Sequence, residues 1–254
     1  MDSQDRANKG RGFNGHGDRI YRRLSTPKDL SGFGVRVRET DLWVEAESPL
    51  EKETRDLVFE ARRELEEYIS LYPEFATTLS PFGPDRTAPP LVSEMIRAAE
   101  KARVGPMAAV AGAIAEYVGR GLLRWSPRVM VENGGDIFLC MDREVTVTIY
   151  AGDSPISGKI GLVISREMMP AGICSSSGTV GHSLSMGKAD AVCVLAPSAA
   201  LADGTATAAG NRIRGPSDLE EAVAWASGVE GVSGVVAIAG KSMAAWGDME
   251  LVRL

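Results

Sequence analysis

The chain is short of the residues that carry most imidazole and thiol chemistry: its 254 positions hold two histidines and three cysteines. Cys140, Cys174 and Cys193 are odd in number and widely spaced, so they support neither a disulfide framework nor a zinc knuckle. Reduced thiols are expected. Long hydrophobic runs are also missing, since "DAVCVLA" and "GVVAIAG" fall far short of the roughly 20 residues a bilayer span needs. The N-terminus shows no apolar signal core, and the chain reads as cytoplasmic with no membrane partner.

What is present describes an ordinary globular protein: 44% hydrophobic and 24% charged residues, in a chain long enough for a sizeable core. The net charge of −6 is uneven, with +5 over residues 1–38 and −11 over the rest. An acidic body of this kind excludes a broad nucleic-acid groove. Residues 1–18, polar and glycine-rich without an apolar period, are expected to form a disordered tail in which His16 is inert; a functional basic arm is the alternative. Residues 19–254 are expected to form one folded domain.

From Arg19, "RIYRRL", "GFGVRVRET" and "DLWVEAE" alternate as short antiparallel strands do. Leu57, Ala61, Leu65, Tyr68 and Tyr72 recur at helical spacing over residues 51–72, and Pro73 stops that helix. A second helix starts at the prolines before Leu91. A third, over residues 106–123, contains "MAAVAGAIAEYV", which is small and apolar nearly all round and so predicts a buried helix closely approached by its neighbours. Strand patterns follow ("RVMVE", "DIFLCM", "EVTVTIY", "IGLVIS", "DAVCVLA"), then helices over residues 198–211 and 216–228, then closing strands. Hairpins outnumber alternating strand–helix units. The fold class is therefore α+β, with helices packed on largely antiparallel sheets.

Three stretches could carry chemistry. In "ENGGD" (residues 132–136) two glycines allow a tight hairpin turn or the close approach of a ligand, with Asn133 and Asp136 bringing polar groups to the same turn. In "GICSSSGTVGHS" (residues 172–183) the hydroxyls of Ser175, Ser176, Ser177 and Thr179, with backbone N–H groups freed by Gly178 and Gly181, could cradle an anion; equally they could satisfy their own turn. His182 is the one histidine outside the tail and thus the sole imidazole available near neutral pH. Cys174 is either a small buried residue or, were its pKa lowered, a nucleophile or persulfide carrier. In "ADGTATAAGN" Asp203 and Thr207 are four apart and share a helix face, where they could reach a hard cation such as Mg²⁺ or simply pack.

Together and in this order, "VAGAIAEYV", "VENGGDIFL", "GICSSSGTVGH" and "ALADGTATAAGN" resemble the ApbE-like superfamily, whose best-known members are FAD:protein FMN transferases. The resemblance covers about residues 91–246 and is nearest to a compact branch of that superfamily. It implies that Asn133, Gly134, Gly135 and Asp136 belong to a flavin-nucleotide pocket for FAD or FMN. Ser176, Ser177, Gly178 and Thr179 would form its wall, Asp203 and Thr207 would bind Mg²⁺, and His182 and Asp203 would serve catalysis. The chain departs from the transferase pattern in two places: "HSLSMGKAD" stands where an Asp-Pro-x-Thr-Gly signature follows the histidine, and Ala111-Gly112 lacks the lysine of an Ala-Lys-Gly segment. Three readings follow. The protein is a Mg²⁺-dependent enzyme of FMN-transferase type acting on a phosphate-bearing ligand; or a non-transferase ligand-binding or sulfur-handling protein using Cys174, since the resemblance associates that branch with sulfide assimilation and homocysteine formation; or a scaffold whose small residues serve homo-oligomer formation.

Overall fold

The computed structural model describes residues 29–178 and 187–254. The tail expected over residues 1–18 and the "RIYRRL" strand lie outside the described residues.

Strands β1 (Ser31–Val37) and β2 (Thr40–Ala46) form the first hairpin, and along β1 every second side chain is buried, as a sheet with one wet face requires. Helix α1 (Glu51–Leu71) buries Leu57, Val58, Ala61, Leu65 and Tyr68, the stripe that the sequence spacing marks. Tyr72 stands just beyond its end and is more than a third exposed. Helix α2 (Pro90–Ala102) opens on proline and closes at Arg103, which sits at φ 55°. The third helix is split in two, a 3₁₀ turn (Pro106–Ala109) running into α3 (Val110–Leu122). Strands β3 (Val129–Asn133), β4 (Asp136–Cys140), β5 (Val145–Thr148), β6 (Ile160–Ile164), β7 (Ala171–Ser176) and β8 (Ala191–Ala196) follow. Then come α4 (Ala199–Gly210), α5 (Leu219–Ser227), β9 (Gly234–Ala239), β10 (Ser242–Gly247) and β11 (Glu250–Arg253).

Eight strands make one sheet in the order β1-β2-β3-β4-β7-β8-β9-β10, and β11-β6-β5 make a second; every pairing among the described residues is antiparallel. Strand alternation then builds two cores. Phe138, Val192, Val194, Val235 and Ala237 face the five helices, whereas Leu139, Ile173, Leu195, Val236 and Ile238 face the small sheet with Leu162 and Ile164. The expected α+β class is the one observed.

The helix layer lies unusually close to the strands. A Cβ built on Gly112 would stand 2.2 Å from the carbonyl oxygen of Ala199, and one on Gly172 would stand 2.3 Å from Ala199 Cα. Glycine at both positions lets α4 settle against α3 and β7. In α4 every residue but Thr207 is buried, so the small residues of "ALADGTATAAG" are a packing requirement.

Candidate functional site

The site begins at the β3–β4 hairpin. Asn133 pairs with Asp136 across a two-residue turn whose glycines adopt φ 71° and 109°, conformations that other residues rarely hold. Both glycines are therefore needed by the turn itself. Nothing lies within 4 Å of a Cβ built on Gly134, which leaves open space above it. The turn is braced by Glu132, whose carboxylate accepts from the Gly135 N–H at 2.8 Å, and by Asn133, whose amide donates to the carbonyl of Ala111 at 3.1 Å.

Antiparallel pairing of Ile137 with Ile173 carries β7 past the hairpin, so that Asp136, Cys174 and Ser176 come to the helix side of the sheet. This corrects the reading of "GICSSSGTVGHS" as one loop with its hydroxyls gathered together. The stretch is strand as far as Ser176; Ser175 alternates to the other face, beside Cys193, and only Ser176 turns inward. Gly178 continues the ladder by donating its N–H to the Ala189 carbonyl at 3.0 Å. Thr179 and His182 lie outside the described residues, while Ser177 and Gly178 follow the strand's end.

Helix α4 brings Asp203 to the same place. Its carboxylate is 9% exposed and accepts from the N–H of Gly112 at 2.9 Å, at the start of α3. Burial pushes the Asp203 carboxyl up to about 7, although the Gly112 and Ala111 N–H groups pull it down. Asp136 is also raised, first by burial and then by the Asp203 charge, with Glu132 adding to it; the Cys174 thiol and the Ser175 N–H oppose the rise. Two buried acids that repel one another favour sharing a proton. Among the described residues Asp136 Oδ1 and Ser176 Oγ are buried without a hydrogen-bond partner.

These oxygens suit a hard cation or the hydroxyls and phosphates of a nucleotide, because a divalent ion relieves the repulsion that raises both acids. Among the described residues no three His, Cys, Asp or Glu side chains converge as a metal-binding group; Asp136 and Asp203 supply two carboxylates. Thr207, half-buried and one turn further along α4, is the only residue of that helix that is not buried. Two surface hollows of about 450 and 390 Å³, the first beside Arg38 and Arg62 and the second beside Arg214 and Trp225, include none of these residues.

Cys174 lies beneath the pair. Its thiol is fully buried and contacts the Ala199 carbonyl, 3.2 Å away, and burial together with Asp136 and Asp203 pushes its pKa well up. A thiol held neutral in this way is a poor nucleophile, which weighs against the sulfur-handling expectation.

One residue went unread in the sequence. Glu116, buried in α3, accepts from Ala199 N at 2.7 Å and Ser198 Oγ at 3.0 Å, and it pairs with Arg120. The signal was visible as the lone charge inside "MAAVAGAIAEYV", where an unpartnered carboxylate would be costly to bury.

A family model described as AbpE bacteria matches residues 22–236. A "UPF0280 protein" of Methanococcus vannielii is 44% identical over 188 residues, 72% of this chain and 76% of the relative. Another from Methanocella arvoryzae is 41% identical over 215 residues, covering 84% of this chain and 87% of the relative. Among solved structures, the flavin transferase ApbE of Vibrio cholerae aligns over 87% of this chain and 97% of its own at TM-score 0.54 and 14% identity. The ApbE protein of Thermotoga maritima aligns at TM-score 0.55 and 11% identity, over 85% of this chain and 96% of its own. At that identity the likeness concerns the fold.

Proposed function

The chain belongs to the family described as AbpE bacteria, and from that premise we propose that it binds a phosphate-bearing flavin nucleotide with Mg²⁺ beside the β3–β4 turn. One observation carries the reading: Asp136 and Asp203 are buried together with raised pKa values, while Asp136 Oδ1 and Ser176 Oγ are buried and unpartnered among the described residues. A polar group in that condition is uncommon unless a ligand completes it.

Gly134 and Gly135 would let the ligand reach the backbone, with Asn133 holding the turn against α3 through its bond to Ala111. Ser176, Ser177, Gly178 and Thr179 would line the opposite wall. Asp203 and Thr207 are the proposed Mg²⁺ ligands, and the ion, when bound, would neutralise a diphosphate. His182 would position an oxyanion or move a proton, the one imidazole placed by sequence beside the wall. Transfer of the flavin nucleotide to an acceptor is the reaction this arrangement would support, as the flavin transferase name of the Vibrio cholerae structure suggests.

Calorimetric titration of the full chain with FAD, with and without Mg²⁺, tests the reading. Mg²⁺-dependent binding that weakens at least about tenfold in Asp136→Asn supports it. Equal or absent binding in both conditions overturns it, as does a wild-type affinity in Asp136→Asn.

A further inference from the structure

The large sheet has two edges, and they differ. β1 alternates and carries Arg36 outward, a charge of the kind that discourages pairing with another strand. β10, at the other edge, reads Ser-Met-Ala-Ala-Trp-Gly, is uncharged throughout, and pairs only with β9 among the described residues. Five of its six residues are exposed, Met243 at 42% and Trp246 at 43%. Among the described residues this apolar, uncharged edge is open, and such an edge is a template for a further strand.

The sequence around β10 specifies what that strand would be. Lys241 precedes it and Asp248 follows it, so the flanking charges are of opposite sign at opposite ends. Two such strands running antiparallel bring Lys241 of one copy to the end occupied by Asp248 of the other, twice over by symmetry; parallel pairing would set like charges side by side. Antiparallel pairing about a two-fold axis normal to the sheet keeps side chains of the same face together, which requires the axis to pass through a residue position; at Ala244 or Ala245, the middle of the strand, Lys241 comes opposite Gly247 or Met249, next to Asp248. A methyl group at the axis permits the approach. On either side Met243 and Trp246, the two large exposed side chains of the strand, would leave water.

We propose that this protein forms a homodimer by antiparallel pairing of β10 with β10 of a second copy, joining the two large sheets edge to edge. The pairing is independent of the carboxylate site, which lies between β4, β7 and α4.

Sedimentation velocity of the full chain over a range of micromolar concentrations tests this. The expected result is a dimer whose dissociation constant rises at least about tenfold in Ala245→Lys, because two ammonium groups then meet near the axis. The circular dichroism spectrum of that variant should stay near wild type, since Ala245 is exposed. Lys241→Asp and Asp248→Lys should each weaken the dimer, and the double reversal should restore it. A wild-type monomer throughout the range overturns the proposal, and so does a dimer that Ala245→Lys leaves intact. Should Ala245→Lys fail to fold, the Lys241 and Asp248 reversals decide alone: no weakening in either single variant overturns the pairing.

Discussion

The carboxylate of Asp203 in α4 accepts from the N–H of Gly112, 2.9 Å away at the start of α3. Four residues along each helix the relation is reversed, with Glu116 of α3 accepting from Ala199 N at 2.7 Å at the start of α4. Two antiparallel helices thus cap one another with acids, each carboxylate meeting N–H groups that have no partner within their own helix. The same clasp fixes Asp203 beside Asp136, and the residue proposed to hold Mg²⁺ therefore also holds the fold.

These two roles separate by substitution. Asp203→Ala leaves the Gly112 N–H buried without an acceptor and should cost about 1–3 kcal/mol in urea unfolding. Asp203→Asn keeps an amide oxygen for that N–H and removes the charge, so it should unfold closer to wild type while losing Mg²⁺-dependent flavin binding. Equal stability of wild type and Asp203→Ala would remove the structural role.

Gly112→Ala sets helix propensity against packing. Within a helix alanine is favoured over glycine by about 1 kcal/mol. The added Cβ, however, would stand 2.2 Å from the Ala199 carbonyl oxygen and 2.9 Å from Asp203 Cβ, and a backbone carbonyl cannot swing aside. Overpacking of this kind costs about 1–3 kcal/mol or more, so the variant should melt below wild type. A higher Tm would show that α3 and α4 have room to part.

Much of this arrangement was legible in the sequence because its signals are local. The stripe from Leu57 to Tyr68 and the Gly134-Gly135 turn depend on neighbours a few residues away, and both stand where the pattern puts them. Asp203 and Asp136 could be named by resemblance, yet their meeting depends on strand register and on glycines at positions 112 and 172, which no spacing rule encodes. The serine run misled for a physical reason. Serine is a turn former in isolation, but with Gly172 and Cys174 buried against α4 the stretch from Ala171 to Ser176 gains more as a central strand. Glu116 stood out as a lone charge in an apolar run, but its role was not legible because its partners, Ser198 and Ala199, lie 82 and 83 residues away.

Thiol reactivity should follow burial. Cys174 and Cys193 are fully buried, with Cys193 pushed up to about 11, whereas Cys140 is partly exposed. Alkylation of the native protein followed by peptide mass mapping should modify Cys140 first and reach the other two only with denaturant. Rapid native labelling of Cys174 would return it to consideration as a sulfur carrier.

The acid pair makes stability depend on pH in a direction opposite to that of most surface carboxylates. Asp203 is raised from 3.8 to about 7, so the folded state retains a proton that the unfolded chain releases across that interval. Its contribution is complete below the unfolded value and is lost as pH rises toward the folded one, at up to about 1.4 kcal/mol per pH unit for each retained proton. Asp136 is raised as well and acts in the same direction. Asp85 and Glu39, lowered by the N–H and side-chain donors around them, act in the other direction, but below the ordinary carboxylate range. Urea midpoints should therefore decline from about pH 4 to 7, and Asp203→Asn should flatten that decline because its amide does not titrate. Mg²⁺, by favouring the ionised pair, should raise the midpoint most at the upper end of the interval. A wild-type midpoint that climbs steadily from pH 4 to 7 without Mg²⁺ would show that the pair is ionised in the folded protein and that a partner other than a shared proton neutralises it.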